Sequence, residues 1–129
     1  MKKLNLILIF FAVTFIGTVS LWVLDILGIV KNVLLSDFTQ PQYYGYLAGD
    51  LFAMPLLLVS IIGLYRMKFW GYVATQIEMG AWIYTSVASL VTVVVKGFDD
   101  IFVLMWSPIY LLVAIYVIFY TWKRRDQFT

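Results

Sequence analysis

The sequence predicts an all-α membrane protein, an antiparallel bundle of four transmembrane helices with both termini cytoplasmic, and three observations predict it. The first is composition. Of the 129 residues 64% are hydrophobic and 12% charged, whereas soluble domains hold about 45–50% apolar and about 25% charged residues. The second is spacing. Four apolar runs, at about residues 4–25, 46–65, 69–95 and 101–122, each reach the roughly 20 residues that a helix needs to cross a hydrocarbon core about 30 Å thick. The third is the sidedness of charge. Lys2, Lys3, Arg66, Lys68, Lys123, Arg124 and Arg125 fall on one side of those runs, against Lys31 and Lys96 on the other. A bias of this kind places the basic side in the cytoplasm, so a single multi-pass domain of the cell membrane is expected.

Composition also limits function. The spans use most of the chain, which leaves no room for a soluble catalytic module. The sequence contains neither cysteine nor histidine, which removes thiolate chemistry, the commonest metal ligand and the usual general base. No catalytic residue, cofactor or metal is therefore expected. The net charge of +2 comes from loops and tails rather than from one basic face, so nucleic acid is not an expected partner.

Taken in order, Lys2 and Lys3 followed by an apolar run look like a secretory signal. The run continues without a charge as far as Asp25, beyond the roughly 7–15 residues of a signal core, so a retained first helix is expected. Thr14, Gly17, Thr18, Leu21, Asp25 and Gly28 recur at helical spacing, a small and polar stripe predicted to face the bundle. Ile26 to Tyr44 mixes apolar residues with Lys31, Asn32, Ser36 and Asp37. It reads as an interfacial segment whose first half either extends the first helix or lies in the headgroups. Tyr43, Tyr44 and Tyr46 mark an aromatic belt at the start of the second span. The short turn Arg66-Met67-Lys68 makes the second and third spans antiparallel neighbours. The third span ends at Lys96-Gly97, and Asp99-Asp100 leads into the fourth.

Two acids inside spans are the candidates for function, because a charge in hydrocarbon costs about 2.5–3.5 kcal/mol and usually faces a bundle interior or a wet cavity. At about 1.5 Å per residue, Asp50 lies about 6 Å inside the outer end of the second span and Glu78 about 14 Å from Phe69, near the midplane. Asp25, Asp99 and Asp100 make the outer mouth acidic. Asp50 reads either as a cap on the second helix or as a pocket acid, helped by Pro55, which frees a backbone carbonyl one turn earlier. Glu78 reads either as a neutral clasp bonded to Thr14 or Tyr110 at similar depth, or as a ligand acid. Trp82 lies on its face at i+4, and an acid beside an aromatic face suits an organic amine; ordinary packing accounts for the same spacing. The face Gly71, Thr75, Glu78, Ala81, Thr85, Ser89, Thr92 is predicted to meet the stripe on the first span.

The order of Asp25 at the end of span one, Asp50-Leu51-Phe52-Ala53-Met54-Pro55 in span two and Ser107-Pro108-Ile109-Tyr110-Leu111-Leu112 in span four resembles the EXPERA membrane family, which includes the sigma-2 receptor and sterol isomerases. The resemblance implies that Asp25 and Asp50 are pocket acids and that the ligand is a sterol or lipophilic amine. The His and glutamates of the isomerases have no counterparts here, so it implies a pocket without the isomerase chemistry. The expected function is a non-enzymatic binding protein with an acid-lined intramembrane pocket, its ligand-binding residues being Asp25, Asp50, Glu78, Trp82 and Tyr110. A small proton-coupled transporter acting as a dimer, and a structural subunit or regulator of a larger membrane complex, stay open beside it. Expected partners are the lipid bilayer, a small lipophilic or cationic ligand, and a second copy or another membrane protein.

Overall fold

The computed structural model describes residues 2–29, 40–97 and 101–129. Its helices are α1 (Lys2–Ile26), α2 (Gln40–Tyr65), α3 (Phe69–Val95) and α4 (Ile101–Trp122), followed by one 3-10 turn, Arg125–Gln127. All four contain a stretch long and apolar enough to cross a membrane. Large apolar side chains such as Leu6, Phe52, Tyr84, Leu112 and Phe119 cover the outside, a surface suited to lipid and costly in water. The interfacial segment between residues 30 and 39, together with Asp99 and Asp100, lies outside the described residues.

Local chemistry accounts for the helix ends. α1 does not extend into the connection: it stops at Ile26, where Gly28 takes a left-handed φ of 70° and the Ile29 N–H bonds the Leu24 carbonyl at 3.0 Å. Gly97, with φ 87°, ends α3 in a similar way. Met67 adopts φ 51° after α2, a conformation that costs a side-chain-bearing residue about 1–2 kcal/mol, while the Lys68 N–H reaches back to the Gly63 carbonyl at 2.8 Å. α2 begins at Gln40, well ahead of its apolar stretch Leu47–Tyr65. Pro41 is no break there, because a proline in the first turn gives up no intrahelical bond.

α2 and α3 meet through two glycines that flank their turn. A Cβ on either Gly63 or Gly71 would overlap the backbone of the other, and one on Gly63 would also come within 2.7 Å of Trp70 Cζ3. Without strong hydrophobic drive between helices in lipid, backbone approach of this kind is what holds them. Ser60 and Thr75, both buried beside this seam, bond the carbonyls of Leu56 and Gly71 on their own helices. The core above it holds Leu57, Leu64, Met79, Val117 and Phe11.

The stripe predicted on α1 is only partly right. Thr14, Thr18 and Asp25 are half-buried, but Gly17, Leu21 and Gly28 are exposed, and nothing lies within 4 Å of a Cβ built on Gly17. The inward face is instead Leu4, Ile7 and Phe11, continuing to Trp22. The predicted polar face of α3 divides similarly: Gly71, Thr75 and Glu78 are buried, while Ala81, Thr85 and Thr92 are exposed. Gly71 meets α2 rather than α1. In both cases the packing selects an aromatic residue for the interior instead, Phe11 on α1 and Trp82 on α3. The exposed threonines satisfy themselves by bonding carbonyls one turn back, Thr85 to Ala81 and Thr92 to Ala88.

Candidate ligand site

Glu78 is the fully buried acid of α3. Its Oε1 accepts a hydrogen bond from the Trp82 indole Nε1 at 2.8 Å, a bond that the i, i+4 spacing of one helix makes local. Its Oε2 is buried and has no hydrogen-bond partner among the described residues. Helices α1 and α4 pack aromatic rings against the Trp82 indole. Trp82 is 5.6 Å from Phe11, 6.1 Å from Phe10 and 5.0 Å from Tyr110, centroid to centroid, each meeting it close to edge-on. Phe10 and Tyr110 are themselves 5.6 Å apart, and Trp106 lies beyond Tyr110 at 6.2 Å. Glu78 is thus buried beside a cluster of aromatic rings, with one carboxylate oxygen that no described residue bonds.

Asp50 forms a second pair of the same chemical type. It is half-buried, and its Oδ2 accepts the Trp22 indole N–H at 2.6 Å, across from α2 to α1.

These contacts change several sequence expectations. Asp50 is not a helix cap, because α2 starts at Gln40 and Asp50 stands in its interior. Glu78 is not clasped to Thr14 or Tyr110; those two bond each other, at 3.3 Å, joining α1 to α4. Trp82 offers no free face to a cation, since its edge holds Glu78 and three rings enclose it. Glu78, Trp82 and Tyr110 come together, Asp50 is bonded to Trp22, and Asp25 lies about one turn beyond Trp22 on α1.

Trp22, Phe10 and Phe11 are residues of the site that sequence reasoning missed. For Trp22 a signal existed: it sits near the outer end of α1, level with Asp50 once the two helices are laid antiparallel. For Phe10 and Phe11 there was none, because apolar residues fill both flanks of α1. Among the described residues no three metal-ligating side chains cluster. No family model, curated protein or solved structure matches the chain.

An unpartnered buried carboxylate oxygen costs about 1–3 kcal/mol, and more if charged. A donor that fills the position recovers that cost.

Proposed function

We propose that the protein is a multi-pass protein of the cell membrane, an antiparallel four-helix bundle with both termini cytoplasmic, which binds a lipophilic amine without chemically altering it. The observation that supports this reading is the buried, unpartnered Oε2 of Glu78, whose other oxygen is held by Trp82 within an aromatic cluster. The EXPERA resemblance points to the same ligand class through Asp25 and Asp50, and it adds sterol-like molecules as apolar bodies of suitable size. The amine enters from the acidic outer half, and Asp25 and Asp50 meet its charge before Glu78 does.

A ligand that binds only the folded state stabilises it, by about 2.7 kcal/mol at a hundredfold excess over Kd. A lipophilic amine should therefore raise the unfolding temperature of the purified protein, and its neutral isostere should raise it less. Glu78→Gln should remove most of the difference between them. Equal stabilisation by both compounds, unchanged by the substitution, would mean partition into apolar surface and would favour a structural subunit of a larger complex.

The buried, unpartnered carboxyl of Glu78 within a span also supports a second reading, a proton-coupled carrier. A lone four-helix bundle is thin for alternating access, so that reading requires a homodimer. Amine uptake into proteoliposomes driven by a pH gradient, abolished by Glu78→Gln, separates carriage from binding.

A further inference from the structure

The segment after α4 folds back onto the α2–α3 turn. The Thr129 N–H bonds the Met67 carbonyl at 3.0 Å, and the Phe69 N–H bonds the Thr129 carbonyl at 3.2 Å. Phe128 is buried and stacks on Tyr72 at 5.7 Å. This hook brings two basic segments, far apart in sequence, to one end of the molecule: Arg66 and Lys68 from the turn, and Lys123, Arg124 and Arg125 from the end of α4. Arg125 is four residues from Thr129, so at most about 14 Å of chain separates it from the turn.

The two arginines are also held in place. The guanidinium of Arg124 lies 4.7 Å from the centre of the Tyr120 ring, and that of Arg125 lies 4.9 Å from the centre of a Trp122 ring. A guanidinium stacked on a ring keeps its N–H edges free to fork onto phosphate oxygens. Asp126, nearly fully exposed, pairs loosely with Arg125 at 3.8 Å. Exposed Tyr65, Phe69, Trp70, Phe119 and Trp122 lie at the same level, the aromatic belt that marks the headgroup region. Positive-inside topology explains why cations collect here, but it requires neither the stacking nor the hook.

We propose that the hooked tail and the α2–α3 turn together form a clamp for the phosphate headgroup of an anionic phospholipid, with Arg124 and Arg125 as its forks. The clamp is independent of the amine site. Juxtamembrane cations each contribute about 1 kcal/mol to attraction by anionic lipid, which corresponds to about a fivefold preference per charge.

The test exposes purified protein to an equimolar mixture of phosphatidylglycerol and phosphatidylcholine and counts the lipids it retains by native mass spectrometry. The intact protein should retain phosphatidylglycerol preferentially, and inorganic phosphate should not displace it, since the acyl chains contribute to binding. Arg124→Gln with Arg125→Gln should lower the preference at least fivefold, and Lys96→Gln, at the opposite end, should leave it unchanged. Phe128→Ala keeps every charge but releases the hook, and it should also lower the preference. Full preference in Phe128→Ala would overturn the clamp and leave only diffuse charge. Full preference in the double arginine variant, equal loss with Lys96→Gln, or complete displacement by inorganic phosphate would each overturn the lipid assignment.

Discussion

Two carboxyl groups in this protein are each held by a tryptophan N–H, and the two pairs do different work. Trp22 and Asp50 join different helices, α1 and α2, at a half-buried position. Trp82 and Glu78 lie one turn apart on α3, fully inside the bundle, and their bond joins nothing further. The first pair is a tie between elements. The second fixes one carboxylate oxygen and leaves the other buried without a partner among the described residues. The same acid–indole bond thus ties two helices in one place and only turns of a single helix in the other.

The comparison breaks first, if it breaks, at the tryptophans. Trp82→Ala should cost about 3–5 kcal/mol, the range for emptying a buried aromatic site. Trp22→Ala should cost clearly less, because Trp22 is half-exposed. Denaturant unfolding in a fixed detergent measures both, and equal losses would deny that the aromatic cluster is the centre of the fold.

A finer test is the cross-helix bond itself. Hydrogen bonds between membrane helices average about 0.6 kcal/mol and reach about 1.7 kcal/mol. A double-mutant cycle of Trp22→Phe with Asp50→Ala, which removes the donor and the acceptor in turn, should give a coupling in that range. A coupling of zero would mean the pair ties nothing.

The smallest expected effect is that of Glu78→Gln on stability. The isostere keeps an acceptor for the Trp82 N–H, so the variant should still fold and should lose less stability than either tryptophan variant. If Glu78→Gln fails to fold while Asp50→Asn is harmless, the roles of the two acids are reversed.

The helices were legible because membrane-length apolar runs leave little choice, and the i, i+4 relation of Glu78 to Trp82 could be read from spacing alone. The tertiary partners were less legible, for physical reasons. Five tryptophans were available to Asp50, and only the packing of α1 on α2 selects Trp22. The approach of Gly63 to Gly71 follows from glycines flanking a three-residue turn, a signal present in the sequence but assigned there to α1. Gln76, whose amide donates to Thr121 at 2.7 Å between α3 and α4, carried no pattern that marked it. The hook of Phe128 and Thr129 depends on the left-handed turn at Met67, which no residue preference announces. Small and polar stripes mispredicted the packing faces because aromatic residues lie on every flank of these helices, and only the packing selects Phe11 and Trp82 for the interior while Phe52 and Tyr84 stay outside.

The claim that Glu78 is the receiving group of an internal site is tested most directly by photolabelling. A lipophilic amine bearing a diazirine, photolysed with the purified protein, should attach within the peptide that contains Glu78 and Trp82. Excess unlabelled amine should suppress that labelling, and Glu78→Gln should weaken it. Labelling spread over outward-facing residues such as Tyr84 and Val91, indifferent to competitor and to the substitution, would contradict the account.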